Sequence, residues 1–331
     1  MDRRHFLAST ACFAGVAATP GIAQNLPVQK FASATLGDVQ HHFQQEYAEQ
    51  MNQAGVLTVE LYPASQLGPI PSMVNGVMLG SIETFITATA FLSQVDPRFQ
   101  VFDVAALLSD PVKTRALFAS DQACARIEGY GDGRNVLPLS TFVHSPNAII
   151  SKSPIETIDD LAGLKIRVLG SPFQIEPMRA VGATPVPMPL SEVMPALQTG
   201  AIDAVVSSPT VATAFRYHDA AAHMVIIDSW PLVVTMANSR SWFDALPEAT
   251  QSTLRTTVRA VEQDAVAWGA ADVERARTAW ADAGGSLHAT DPTFEAELQT
   301  AIAESTAPLI AGSPALAGEV AAMESIAASI S

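Results

Sequence analysis

The feature of this sequence that most restricts its fold is a strand–helix–strand order that appears twice. Residues 28–34 read as a short strand. A helix follows from about Asp38, with Val39, Phe43, Tyr47 and Met51 every four residues along one stripe, and Gly55 ends it. Residues 56–62 then alternate, with Leu57, Val59 and Leu61 on one face. Two strands joined in this way form a parallel unit with a right-handed crossover. After a turn rich in Pro and Gly, residues 72–79 read as a helix stopped by Gly80, and residues 82–88 as a third strand. The same order restarts with strands over 148–151 and 165–169 and a helix over 172–180 closed by Gly182. A short helix capped by Ser191 runs to Gln198, Gly200 closes it, and residues 204–207 form a further strand. Two α/β halves in one chain imply a cleft between them, where strand ends and helix N-termini converge.

The last third reads as mainly helical. Pro247 fits a first helical position, and Leu254, Val258, Val261, Ala265 and Trp268 follow at alternating spacings of four and three. Val273, Ala276 and Trp280 continue the stripe, and Gly284-Gly285 terminates it. Thirty-odd residues at about 1.5 Å each span roughly 50 Å, longer than a single domain of this size. Such a helix lies along both halves and ties them together; the alternative is two helices broken near Gly269.

Charge and termini narrow the function. The 331 residues carry 18 Lys and Arg against 33 Asp and Glu, a net charge of −15. A body this acidic is repelled by phosphate backbones, so nucleic-acid binding is not expected. No apolar run approaches the roughly 20 residues that cross a bilayer. Residues 1–23 read as an export signal: Arg3 and Arg4, a mostly apolar stretch over 6–18, then Gly21-Ile22-Ala23, so that the mature chain starts at Gln24. Arg3-Arg4-His5-Phe6-Leu7 resembles a twin-arginine signal, with an ordinary secretion signal as the alternative. Cys12 lies within this segment and the mature chain keeps Cys124, which can form neither an intramolecular disulfide nor a thiolate metal site. Export, acidity and the lack of a disulfide point to a bacterial periplasm.

Catalytic constellations are missing from the pattern. There is no G-x-S-x-G elbow, no Walker loop and no G-x-G-x-x-G after a strand. His41 and His42 are adjacent on a helix, with Glu46 four residues after His42, but adjacent side chains diverge by about 100° and do not share a metal easily. No cofactor and no metal are expected.

One segment is far more specific. It contains Asp160-Leu161-Ala162-Gly163-Leu164-Lys165-Ile166-Arg167-Val168. It continues with Gly182-Ala183-Thr184-Pro185-Val186-Pro187-Met188-Pro189-Leu190-Ser191-Glu192-Val193 and Ala196-Leu197-Gln198-Thr199-Gly200-Ala201-Ile202-Asp203-Ala204. This resembles the extracytoplasmic solute-binding subunits of TRAP transporters, with their "DLxGxKxRV" and "GAxPxPMxxSEVxxALQxGxxDG" runs. Tyr62-Pro63-Ala64-Ser65-Gln66-Leu67-Gly68 and Ser241-Trp242 through Leu246-Pro247 extend the likeness over essentially the whole mature chain.

The resemblance implies an α/β, two-lobe periplasmic-binding-protein (Venus-flytrap) fold with a long helix spanning both lobes. The lobes would be 24–145 with 232–271 and 146–231 with 272–331. It implies a monomer that is not an enzyme, captures a small organic acid and delivers it to the small and large TRAP membrane subunits. It also implies that Arg167 holds a carboxylate, through a rigid fork that suits two parallel hydrogen bonds. Many relatives carry a second arginine where this chain has Asn147, and the residue aligned with Ser207 contacts ligand in relatives. Phe173, Gln174 and Trp230 are expected to line the pocket, and Thr87 and Thr89 end the third strand nearby. With Asn147 and Ser207 both neutral, a second buried carboxylate would stay uncompensated, so a ligand with one carboxylate is expected. A ligand-binding sensor module and a periplasmic enzyme on the same scaffold are the rival readings.

Overall fold

The computed structural model describes residues 26–289 and 292–330. The export segment expected over 1–23, with its arginine pair, lies outside them. Among the described residues nine strands join in one sheet: β1 (Val28–Ser33), β2 (Thr58–Tyr62), β3 (Thr84–Ala88), β4 (Val136–Ser151), β5 (Lys165–Val168), β6 (Thr184–Pro187), β7 (Ala204–Ser207), β8 (His223–Ser239) and β9 (Ser286–His288). Their order is β2-β1-β3-β8-β4-β7-β5-β6, with β9 beside β8. β1 pairs in parallel with β2 and β3, and β5 in parallel with β6 and β7. These are the two α/β units that the repeated pattern predicts.

What joins them is not legible in that pattern. β4 has 16 residues and β8 has 17, and they run antiparallel through both units from Val136↔Ser239 to Ser151↔His223. At about 3.3 Å per residue each covers roughly 50 Å. The strand expected over 148–151 is therefore only the last quarter of β4. The ladder breaks between Val143 and Ser145 and again where Pro146 pairs with Pro231 but Asn147 pairs with Ile227. Residues 228–230 of β8 leave the ladder there, and the Asn147 amide holds the bulge by donating to the Trp230 carbonyl at 3.1 Å. Bulges of this kind bend a strand and raise its twist, so the crossing pair changes direction between the two lobes.

Helix Glu248–Asp282 is continuous for 35 residues, about 52 Å. Its stripe of Leu254, Val258, Val261, Ala265, Val273, Ala276 and Trp280 is buried. Its first part packs on helix Val39–Ala54 and its last part on helix Pro209–Ala214, so it touches both units. Gly269 does not break it. A Cβ there would lie 3.2 Å from Val39 Cγ2 and 3.5 Å from the His144 carbonyl oxygen, so glycine is what lets three elements approach this closely. Pro247 is the N-cap rather than the first helical residue. Likewise helix Leu190–Thr199 is entered from Pro189, whose fixed φ presets the turn, and Ser191 lies inside it.

The first unit is filled by Phe31, Phe43, Tyr47, Phe142 and the long helix, the second by Ile149, Ile166, Val206, Trp230 and helix Pro292–Ala311. A third cluster, from Phe85 and Phe102 to Phe173, Val205 and Trp280, passes between them. Helix Pro314–Ser329 packs on Pro97–Asp103 and Pro111–Ala119, where buried Glu319 accepts hydrogen bonds from Arg126 and Tyr130.

Candidate functional site

Arg167 lies on β5, between β6 and β7, opposite Val186 and Val205. Such a central strand has both faces covered, and Arg167 as a residue is only 2% exposed. Nε donates to the Met188 carbonyl at 3.1 Å and Nη1 to the Val206 carbonyl at 3.1 Å. Those bonds use two of five N–H donors and fix the plane of the group. One Nη1 hydrogen and both Nη2 hydrogens remain, donors of the kind that a carboxylate accepts. Among the described residues no carboxylate pairs with it. Burial holds its pKa below the ordinary value, while the neighbouring Tyr217 acts in the other direction. A buried cation without a counter-ion is costly unless an anion arrives to compensate it.

Arg167 walls a cavity of about 40 Å³ between the two units. The second unit contributes Leu169, Leu190, Ser207 and Val211, and the first contributes Ala34, Thr35, Gln40, Ile70, Thr87, Ala88 and Phe91, with Leu232 from the crossing strand. Leu190 opens helix Leu190–Thr199, so the positive end of that helix dipole borders the cavity.

The structure brings Arg167, Ser207 and Thr87 together around this cavity. The other expected residues lie outside its lining. Asn147 pins the β8 bulge, and its Oδ1 is buried without a protein partner. Trp230 packs among Ile149, Ile166 and Phe294, with its indole N–H also unpartnered. Thr89 donates to the Val233 carbonyl at 3.2 Å and ties the end of β3 to β8. Gln174 Oε1 accepts from Leu169 N at 3.1 Å, which holds the turn after β5, and its Nε2 is buried without a protein partner. Phe173 packs in the apolar cluster shared by the two units.

Sequence reasoning missed Thr35 and Gln40, which come from a turn and a helix start rather than from a strand end. The available signal was Asp38 as a helix N-cap: its carboxylate organises both, accepting from Thr35 Oγ1 at 2.8 Å and Gln40 Nε2 at 3.3 Å. It also missed Asp103, which is buried and accepts from Ser171 Oγ at 2.8 Å. Ser171 caps helix Pro172–Ala180, directly after the arginine strand, so this bond ties the segment Pro97–Asp103 to that strand's turn. A larger cavity of about 640 Å³ lies elsewhere, between helix Pro111–Ala119, the crossing strands and the long helix. Its lining is mostly apolar and does not include Arg167.

The sequence profile of bacterial extracellular solute-binding protein family 7 (DctP) matches residues 31–311. The chain belongs to that family. The DctP-family chain is 28% identical over 205 residues to a solute-binding protein of Roseobacter denitrificans, covering 60% of this chain and 61% of that one. It is 33% identical over 157 residues to the 2,3-diketo-L-gulonate-binding periplasmic protein YiaO of Escherichia coli, covering 45% of this chain and 46% of that one. The fold matches a TRAP periplasmic solute-binding protein of Desulfovibrio salexigens, solved with bound orotic acid. That match has a TM-score of 0.86 at 23% identity and covers 92% of this chain and 99% of that one. The likeness establishes the two-lobe α/β fold for this family member. Among the described residues no helix is long and apolar enough to cross a membrane.

Proposed function

We propose that this DctP-family protein captures a small organic acid with a single carboxylate in the periplasm and hands it to TRAP membrane subunits. The observation that carries the reading is the buried Arg167, fixed by two backbone carbonyls, lining the interlobe cavity with three N–H donors unused. Every other polar side chain lining that cavity is neutral: Thr35, Gln40, Thr87 and Ser207. One carboxylate is compensated by one guanidinium, and a second would keep its desolvation cost. Hydroxyls and an amide suit hydroxyl or carbonyl groups on the remainder, while Ile70, Phe91, Leu190 and Val211 exclude water. The ligands in the names of two similar proteins, 2,3-diketo-L-gulonate and orotic acid, each bear one carboxylate on a neutral polar body.

The lobes in this reading are 24–145 with 232–271 and 146–231 with 272–331, the C-terminal helix docking back on the first. Closure about the crossing strands encloses the ligand and forms the surface that the membrane subunits meet. The protein acts as a monomer and catalyses nothing, and residues 1–23 direct its export. The test is a thermal-shift screen of organic acids, then calorimetry with matched mono- and dicarboxylates. A ligand present at about a hundred times its Kd stabilises by about 2.7 kcal/mol, which such a screen resolves. Consistently tighter binding of the diacids overturns the single-carboxylate reading.

A further inference from the structure

Asp38 stands where the ligand cavity meets the strand that crosses between the lobes. Its Oδ1 accepts from His41 N at 3.1 Å and Thr35 Oγ1 at 2.8 Å. Its Oδ2 accepts from Gln40 Nε2 at 3.3 Å and from His144 Nε2 at 2.9 Å. Neither the Asp38 nor the His144 side chain has exposed surface. Thr35 and Gln40 line the Arg167 cavity. His144 lies in the middle of β4, at the register break between Val143 and Ser145. Gly269 of the long helix packs against its carbonyl. On its other side His144 walls the 640 Å³ cavity.

A buried carboxylate–imidazole hydrogen bond is a poor way to gain stability, because apolar residues of the same volume often serve as well. What it gives is a defined geometry between the groups it joins. Here those groups are two ligand-facing side chains and one backbone segment at a bend. Close-packed surroundings resist displacement, whereas the free volume beside His144 lets this stretch of β4 shift.

We propose that Asp38 and His144 are positioning residues that couple ligand contact at Thr35 and Gln40 to the bending of β4 over residues 143–147, and so to lobe closure. This rests on the reading of the cleft as a ligand site. Neither residue touches the ligand. A ligand oxygen that draws on Thr35 or Gln40 alters the bonds that Asp38 receives from them, and Asp38 transmits the change to the crossing strand through its fourth partner, His144. The lobe angle then depends on what sits in the cavity.

The test uses the purified protein with Cys124→Ser and spin labels at Gln53→Cys on one lobe and Glu192→Cys on the other. Interlobe distances are measured by pulsed electron resonance with and without the acid found by the thermal screen. Calorimetric affinities are measured for the wild type, Thr35→Val, His144→Asn and the double variant. Asp38→Asn is the second probe: asparagine caps helices as well as aspartate, so it removes the charge while keeping the N-cap. Coupling predicts that His144→Asn and Asp38→Asn broaden the interlobe distances even without ligand. It also predicts that the loss from Thr35→Val shrinks by about threefold or more in the His144→Asn background. Effects that simply multiply, with unchanged distances, overturn the proposal, since a merely structural pair lowers thermal stability without altering either readout. If no acid closes the wild type, the cleft reading fails on its own, and the ligand-free distances still judge the coupling.

Discussion

Replacing Asp103 by asparagine should make the protein more stable at pH 8 and leave it unchanged at pH 4. Asp103 is 7% exposed, and its carboxyl accepts one hydrogen bond, from Ser171 Oγ at 2.8 Å. Among the described residues no cation pairs with it. Burial pushes its pKa up from 3.8 to about 6, the Ser171 bond opposing. The sign follows from proton counting. Between about pH 4 and 6 the folded protein holds a proton that the unfolded chain has released, so stability falls as pH rises through that window. Above it the penalty is complete. A shift of about two units, at about 1.4 kcal/mol each, corresponds to roughly 3 kcal/mol. Asparagine keeps the shape and an acceptor for Ser171 but never ionises. Urea unfolding of both proteins at pH 8 and pH 4 should show the variant ahead by up to about 3 kcal/mol at pH 8, the gap closing at pH 4. A variant that loses stability at pH 8, or a gap independent of pH, would refute the reasoning and mean that the carboxylate is compensated by a group not identified above.

Three further outcomes follow from other sites. Glu262, on the long helix, is pushed up to about 7 by burial while Ser140 donates to it, so Glu262→Gln should raise the melting temperature at pH 8.5 and not at pH 5. A Cβ on Gly285 would sit 2.2 Å from Nε1 of the fully buried Trp280, so Gly285→Ala should cost about 1–3 kcal/mol or more in denaturant unfolding. Asn147→Ala should lower the urea-unfolding stability, because it removes the bond that pins the β8 bulge.

The parts of the fold that read correctly from sequence are those with a single buried face. Helix Val39–Ala54 shows a clean four-residue stripe, and β2 alternates. The long helix kept its stripe through Gly269, whose smallness serves close packing rather than a break. β4 and β8 failed to show because both of their faces are covered and their interiors carry Pro138, Thr141, His144 and Pro146 in β4 and Pro231 and Thr235 in β8. These read as turn or polar residues until the cross-strand bonds that satisfy them, such as Thr141 to Thr235 at 2.8 Å, are visible. The same division holds at the site. Arg167, Ser207 and Thr87 belong to strand ends, and strand ends point to clefts. Thr35 and Gln40 arrive through a turn whose position only tertiary packing decides, and Asn147 faces a bulge that no local pattern announces.

The claim on which the account turns is that Arg167 holds the ligand's carboxylate. Calorimetric titration of the wild type and Arg167→Ala with the acid selected by the thermal screen tests it most directly, with circular dichroism confirming that both are folded. Losing a charge-assisted pair in a desolvated cleft should cost about 2–5 kcal/mol, a factor of about thirty to several thousand in affinity. Arg167→Lys should recover little of that loss, because an ammonium lacks the fork. Unchanged affinity in the folded alanine variant would contradict the account.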